Sequence, residues 1–174
     1  AGGSPRPLAQ GDSDNLVPNW SRDGKWVFFA SNRSGIWQVW KMPVAGGPAV
    51  QVTVHGGFAA YPSFDGNTIY YSKTNLPQTE VWQVPTQGGV ETLVTQVRPQ
   101  SWASWAPTDK GIYFLAANSR PDVMFFDFAT SGVSKVATLD KIPFWLTATE
   151  DGSALFYEHL DQENSHIMML KNFQ

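Results

Sequence analysis

The sequence predicts an all-β fold, a β-propeller with about four blades of four antiparallel strands. One residue pattern occurs four times along the 174 residues, at intervals of about 42 residues. Within each copy, short apolar runs alternate with turns that contain Asp-Gly or Gly-Gly, which favour hairpins. With 15 glycines and 12 prolines, no long segment keeps a helical period. Strand-rich repeats of this length are typical of propeller blades.

Two apolar positions show that the four copies are in register. The second strand of each repeat has its anchor at Val27, Ile69, Ile112 and Leu155, with steps of 42, 43 and 43 residues. The third strand has its anchor at Trp40, Trp82, Phe126 and Met168, with steps of 42, 44 and 42 residues. Because two separate positions keep the same spacing, chance similarity does not explain the pattern.

The strands of each repeat follow from these anchors. Innermost strands are expected at residues 19–21, 59–63, 102–106 and 145–149, and second strands at 26–31, 68–72, 112–116 and 154–159. Third strands are expected at 37–42, 80–84, 123–128 and 166–170, and fourth strands at 50–54, 91–94 and 135–139. Both faces of these runs are apolar, as required when a blade packs between two neighbours. The repeats span residues 18–57, 58–99, 100–142 and 143–174, so the chain is predicted to be a propeller or part of one.

The ends of the chain are out of phase with the repeats. The last repeat stops after its third strand, whereas residues 1–9 match the Gly-Gly turn and fourth strand of a preceding blade. Three arrangements would satisfy this orphan outer strand. It completes the last blade within one chain, it is exchanged between two chains in an eight-bladed homodimer, or the chain is the C-terminal half of a longer propeller. The third arrangement is favoured for the natural protein, and the homodimer stays open for this fragment.

Composition excludes several functions. Charged residues make up 16% of the chain and the net charge is −3, so the basic stripe of a nucleic-acid-binding module is absent. There are no cysteines, which excludes disulfides, thiolate metal sites and cysteine nucleophiles. No apolar stretch approaches the roughly 18 residues that span a bilayer. We therefore expect neither direct nucleic-acid binding nor a membrane span.

Residues that recur in each repeat are expected to build blades rather than a site. Carboxylates that recur once per blade are turn caps in this interpretation, since Asp bonds its own backbone and Gly accepts a positive φ. The structural set is Trp20, Asp23, Gly24, Arg33, Asp65, Gly66, Asp151 and Gly152. Arg33 is the one member that could instead bind an anionic ligand.

Candidate binding residues lie in the loops between blades, which differ from repeat to repeat. The candidates on the face that carries these loops are His55, Phe58, Arg98 and Phe144. Aromatic residues and Arg are enriched among interface anchors, and His55 lies in a loop between blades. The alternative is that these side chains only pack between blades. Residues 158–166 contain His159, His166 and three acidic residues but no recognised ligand spacing, so they are interpreted as a solvated loop. No catalytic residue, metal site or cofactor is predicted, since no nucleophile elbow, triad or phosphate loop occurs.

The segment from Trp20 to Gly35, with Trp37-Gln-Val-Trp40 and Gly46-Gly47, resembles the TolB-like, WD-repeat-like β-propeller family. The resemblance covers essentially the whole chain and is strongest in the first two repeats. In the third repeat, Thr108 stands where the family has Asp, and no Arg-x-Gly follows the second strand. The resemblance implies that Arg33 pairs with the Asp of its repeat or with backbone carbonyls.

The resemblance also implies a biological setting. Similar propellers form the C-terminal part of bacterial multidomain proteins, after a winged-helix DNA-binding domain or a Ser/Thr kinase domain. The location would be cytoplasmic beside a regulator domain and periplasmic for a TolB-like protein. The leading prediction is a non-catalytic module that binds a protein, peptide or small ligand. The alternative is the gating propeller of a prolyl-oligopeptidase-like peptidase without its hydrolase domain, against which the ending at Gln174 argues.

Overall fold

The computed structural model describes residues 4–9, 11–160 and 165–171, and every regular element in these ranges is a β-strand. Blade one consists of β1 (Asn15–Trp20), β2 (Trp26–Ser31), β3 (Gln38–Pro43) and β4 (Val50–Gln51). Blade two consists of β5 (Ala60–Pro62), β6 (Thr68–Ser72), β7 (Val81–Pro85) and β8 (Thr92–Leu93). Blade three consists of β9 (Trp105–Pro107), β10 (Gly111–Leu115), β11 (Asp122–Asp127) and β12 (Val133–Thr138). Blade four consists of β13 (Leu146–Ala148), β14 (Ala154–Leu160) and β15 (Ser165–Lys171).

The four antiparallel sheets confirm the predicted propeller and its strand count. Each sheet pairs its strands in sequence order, with four strands in blades one to three and three strands in blade four. The predicted outer strand at residues 1–9 is not formed over residues 4–9, and Ala1, Gly2 and Gly3 lie outside the described residues. Arg6 Nη2 instead donates to the Val44 carbonyl of blade one at 2.9 Å. Residues 4–9 therefore do not complete blade four within the chain.

Three apolar cores hold neighbouring blades together. Between blades one and two, Phe28 and Val39 pack against Ile69 and Tyr71, and all four are fully buried. Val81 and Trp105 belong to the core between blades two and three, while the core between blades three and four contains, among others, Leu115, Val123, Leu146 and Leu155. Because both faces of each inner blade are covered, their strands are apolar on both sides, as the sequence predicted.

A recurring hydroxyl group closes the turn between the first and second strands of each blade. This hydroxyl accepts the N–H of the first residue of the second strand in blades one, two and four, at Ser21, Ser63 and Thr149. It also donates to the turn carboxylate, at Asp23, Asp65 and Asp151, over 2.6, 2.6 and 2.7 Å. The predicted turn caps are therefore present, and each has a hydroxyl partner that the sequence did not single out.

The third turn differs from the prediction. Thr108 occupies the place of the recurring hydroxyl residue and not that of the aspartate. Its backbone N–H donates to the Gly111 carbonyl, which is only three residues later. In blade one, the equivalent bond runs from the Ser21 N–H to the Trp26 carbonyl, five residues later. The third turn is therefore two residues shorter. Gly111, which was expected in the turn, is instead the first residue of β10.

No described segment forms a helix with the length and apolarity needed to cross a membrane.

Candidate functional site

The first strands of the four blades surround a central channel. They line a cavity of about 220 Å³, with Trp20 and Arg22 from blade one, Tyr61 from blade two and Glu150 from blade four among its walls. The channel has two ends. The turn face carries the four turns between first and second strands, and the loop face carries the links between blades and the loops between second and third strands.

At the turn face, the residues at one equivalent position of the four blades lie close together, and this residue differs from blade to blade. The position directly after the recurring hydroxyl residue holds Arg22, Phe64, Asp109 and Glu150. Arg22 Nη1 lies 2.7 Å from Glu150 Oε1, and its guanidinium lies 5.8 Å from the centre of the Phe64 ring. The Asp109 N–H donates to the Glu150 carbonyl at 3.1 Å. Sequence reasoning did not name this set, although the disagreement of the four copies at one position was a visible signal.

At the loop face, aromatic rings form a row that crosses several blades. Phe58 contacts Trp37 and Trp102 edge-to-face, with ring centres 5.2 and 5.1 Å apart. Trp102 in turn contacts Phe144 at 5.6 Å and Trp145 at 5.7 Å. Burial increases along the row towards Phe58, which is 3% exposed, whereas Phe144 is 50% exposed. Both predicted aromatic candidates are thus joined through Trp102, but only Phe144 presents a large surface to solvent.

The other two loop-face candidates make their contacts elsewhere. His55 is exposed, and its backbone N–H lies 3.3 Å from Glu91 Oε1. Arg98 is half-buried, with Nη2 at 3.7 Å from Glu80 Oε1. These contacts link blades to their connecting segments and do not involve Phe144. A binding role of His55 and Arg98 therefore stays a prediction.

Glu91 forms a buried polar centre that the sequence analysis missed. Its side chain is 4% exposed and accepts bonds from Lys73 Nζ at 2.8 Å, Tyr71 Oη at 2.8 Å and the Val54 N–H at 2.6 Å. Desolvation would raise the pKa of Glu91, but the bonds from Lys73, Val54 and Tyr71 outweigh it and hold the pKa below its usual value. Because the centre joins the link between blades one and two to blade two, its role is structural.

Arg33 and Trp20 differ from the roles expected of them. Arg33 donates to Ser31 Oγ at 3.0 Å and to Asn15 Oδ1 at 2.7 Å, and it stacks on the rings of Phe29 and Trp40. All four contacts lie within blade one, and the partners are neither the aspartate of its repeat nor backbone carbonyls. Trp20 is 59% exposed and lines the cavity, so it does not pack inside a blade.

The histidine pair of blade four lies in a hairpin. His159 and His166 are cross-strand partners with ring centres 6.4 Å apart, and His159 Nε2 lies 3.1 Å from Asp140 Oδ2. Among the described residues, no group of three or more His, Asp or Glu side chains is placed to hold a metal ion. The remainder of the predicted solvated loop, residues 161–164, lies outside the described residues.

Four radially arranged antiparallel sheets around a channel define the protein as a β-propeller. The model of the TolB beta propeller domain family matches residues 1–145, and the chain belongs to this family. The likeness to TolB predicted from the Trp20–Gly35 motif is thereby confirmed.

Solved structures agree with this assignment at the level of the fold. TolB from Acinetobacter baumannii matches with a TM-score of 0.78 and 16% identity, over 94% of this chain and 42% of that one. Putative TolB from Agrobacterium tumefaciens matches with a TM-score of 0.72 and 19% identity, over 95% of this chain and 61% of that one. A puromycin hydrolase S511A mutant matches with a TM-score of 0.69 and 12% identity, over 95% of this chain and 28% of that one.

A curated relative adds little about function. An uncharacterized protein of Agrobacterium fabrum is 34% identical over 62 residues, which is 34% of this chain and 21% of that protein. The chain thus spans less than two thirds of this relative and of both TolB structures.

Proposed function

We propose that this chain is a non-catalytic binding module that holds a protein, peptide or small ligand at its loop face. The observation that carries the proposal is the aromatic patch, defined as Trp102 and Phe144. Phe144 is half-exposed at the end of a row of packed rings, where a partner can cover it. A side chain of this kind supplies a large contact area at a low cost in conformational entropy.

The backbone around Phe144 holds the ring in place before any ligand binds. Its N–H donates to Glu158 Oε1 at 2.8 Å, and its carbonyl accepts a bond from Ser101 Oγ at 3.2 Å. Trp102 supports the ring from the side. Because these contacts come from blades three and four, the patch needs little reordering on binding, which favours affinity.

A peptide library displayed on phage provides a probe for this surface. Peptides selected against the wild-type chain are synthesised, and their Kd is measured for Phe144→Ala and for a matched control, Phe64→Ala. Phe64 has a similar exposure of 54% but lies at the turn face. We expect Phe144→Ala to weaken binding about 30-fold, equal to about 2 kcal/mol, and Phe64→Ala to leave it unchanged. Selected peptides that depend on Phe64 and tolerate Phe144→Ala would place the site at the other end of the channel.

We infer the biological setting from the family. A TolB-type propeller is suited to the sensory or regulatory part of a larger bacterial protein, with a periplasmic location for a TolB-like protein and a cytoplasmic one beside a regulator domain. A second copy of this chain is one candidate protein partner, through the eight-bladed homodimer, which is one of the three arrangements that the strand count leaves open.

A second candidate function is the gating propeller of a prolyl-oligopeptidase-like peptidase. It is favoured by the fold similarity to the puromycin hydrolase mutant. The full-length gene product discriminates the two proposals, since a gating propeller requires a hydrolase domain in the same polypeptide. A DNA-binding or kinase domain there would instead support the regulatory module.

A further inference from the structure

One position on the third strand fills space next to the following blade in blades one and three, but not in blade two. Strand pairing makes Lys41 of β3 equivalent to Gln83 of β7 and Phe125 of β11. Lys41 is 4% exposed, and Phe125 packs against Tyr113 with ring centres 4.5 Å apart, in the core between blades three and four. Gln83 is only partly buried, and a cavity of about 260 Å³ lies beside it between blades two and three. We call this the Gln83 cavity, lined among others by Tyr70, Gln83, Phe126 and Phe128.

The side chain of Lys41 shows what the space between two blades accepts. Lys41 Nζ donates to the Thr86 carbonyl at 2.9 Å and to Gln87 Oε1 at 2.8 Å, and it lies 4.9 Å from the centre of the Trp26 ring. Burial lowers the pKa of Lys41, because removal of water penalises the charged form. Two neutral oxygens and a ring therefore hold this ammonium group between the blades, since carbonyls and aromatic faces both attract a cation.

The Gln83 cavity has equivalent oxygens that carry no donor. The N–H of Thr86 donates to the carbonyl two residues before the second-strand anchor, and so does the N–H of Phe128. The carbonyls of Thr86 and Phe128 are therefore equivalent, yet that of Phe128 has no hydrogen-bond donor among the described residues. The Gln83 side chain likewise makes no hydrogen bond within the part of the chain that the structure describes. Gln83 is also one atom shorter than lysine and uncharged, so it does not supply the missing cation.

Aromatic rings and a nearby carboxylate make the Gln83 cavity favourable for a cation. The rings of Tyr70 and Phe128 stack across the two blades, with centres 5.4 Å apart and planes inclined by 14°. Desolvation and the negative charge of Asp65 raise the pKa of Tyr70, so the carboxylate acts on this part of the interface. The described residues that line the cavity include no Lys or Arg. The cavity thus offers neutral acceptors, aromatic surface and a negative potential without a positive group.

We propose that the Gln83 cavity binds the ammonium group of a primary alkylamine, either a free amine or the side chain of a lysine in a peptide. Gln83 Oε1 and the Phe128 carbonyl accept its N–H groups, as Gln87 and Thr86 do for Lys41. The rings of Tyr70 and Phe128 take the part of Trp26. Both walls of the cavity come from blades two and three, so this site is separate from the aromatic patch at the loop face.

Titrations followed by NMR on the isotope-labelled chain test the site and the nature of its ligand. Pentylamine should shift the amide resonances of Gln83 and Phe128. Pentanol has the same carbon chain without the charge and should bind at least about tenfold more weakly, because hydrogen bonds to charged groups are the stronger ones. Acetyl-lysine amide then separates the two sources of the amine. Tighter binding than that of pentylamine supports a lysine of a polypeptide, and weaker binding supports a free amine.

Gln83→Lys fills the Gln83 cavity with an ammonium group of the chain itself, in the way that Lys41 fills the space between blades one and two. We expect this variant to fold and to lose pentylamine binding. Val90→Lys is the matched control, because it adds the same charge to blade two at a residue that is 78% exposed. It should bind pentylamine like the wild type, so that a general effect of positive charge is separated from occupation of the cavity.

Lys41→Gln is the converse variant, since it removes the ammonium group between blades one and two. A folded Lys41→Gln protein should gain a second pentylamine site, with shifted resonances around Thr86. If the variant does not fold, the comparison of Gln83→Lys with Val90→Lys decides. Equal affinity for pentylamine and pentanol would reduce the cavity to an apolar one and overturn the proposal. Undiminished binding by Gln83→Lys, or a folded Lys41→Gln protein with a single site, would also overturn it.

Discussion

Arg22 Nη1 of blade one lies 2.7 Å from Glu150 Oε1 of blade four, so the first and the last blade touch across the channel. The same guanidinium donates from Nε to the Ser63 carbonyl of blade two at 3.2 Å. One side chain therefore links three blades. An eight-bladed ring holds its blades farther from the axis, so closure of two copies into such a ring requires Arg22 and Glu150 to separate.

The Arg22–Glu150 pair is expected to contribute little to stability. The two side chains are 39% and 53% exposed, and ion pairs of this kind have coupling energies of about 0.2–1 kcal/mol. A double-mutant cycle with Arg22→Ala and Glu150→Gln, followed by urea unfolding, measures the coupling. It should decrease at high salt, because exposed charges are screened. A coupling well above about 1 kcal/mol would contradict the exposure seen here and indicate a drier channel.

Replacement of Glu91 should be far more harmful. Glu91→Gln leaves Lys73 without its counter-ion, and breaking a buried ion pair costs about 3–5 kcal/mol. We expect the lower end of that range, because Lys73 is 18% exposed and can turn towards solvent. Glu80→Gln is the control, since Glu80 is 41% exposed and lies 3.7 Å from Arg98. Urea unfolding should show a change within about 0.5 kcal/mol for this control. Similar losses for both variants would mean that Glu91 is not a centre of stability.

Acid should weaken the fold through the turn carboxylates. The N–H of Ser153, followed by the Thr149 hydroxyl, lowers the pKa of Asp151 from 3.8 to about 2. A carboxyl group with a lowered pKa in the folded state adds stability above its unfolded pKa, and this stability is lost as the pH falls to the folded pKa. Thermal unfolding between pH 4 and pH 2 should therefore depend less on pH in Asp151→Asn than in the wild type. Parallel pH curves for the two proteins would contradict this role of Asp151.

The turns show how much of the fold the sequence could predict. The spacing of apolar anchors such as Val27 and Ile69 is a local property, so blade number and strand order followed from it. The shortened third turn did not, because Thr108 sits next to Asp109-Lys110-Gly111 and imitates the longer pattern. Only the hydrogen bond from the Thr108 N–H to the Gly111 carbonyl shows that Thr108 stands at the position of the recurring hydroxyl residue.

The site was less predictable than the fold, because its geometry depends on contacts between blades. Phe58 and Phe144 are both loop aromatics in sequence, yet Trp37 and Trp102 bury the first while the second stays half-exposed. To predict which of the two rings is buried, one must know how the loops of neighbouring blades pack against it. The partners of Arg33 were missed for the same reason, since Phe29 and Trp40 stack on it only after β2 and β3 have paired.

Gly111 is required for close packing rather than for a turn. A Cβ atom at this position would overlap the Phe126 carbonyl oxygen and lie 2.5 Å from the ring of Phe125, both on the neighbouring strand β11. Gly111→Ala should therefore force β10 and β11 apart, at a cost near the upper end of the 1–3 kcal/mol typical of overpacking. Gly132→Ala is the matched control, because its Cβ would meet only the Thr130 hydroxyl at 3.2 Å, a side-chain atom that can move. Urea unfolding should separate the two variants by at least about 1 kcal/mol. Equal stability of both would mean that β10 and β11 can adjust their spacing, and that the glycine serves only the short turn beside Thr108.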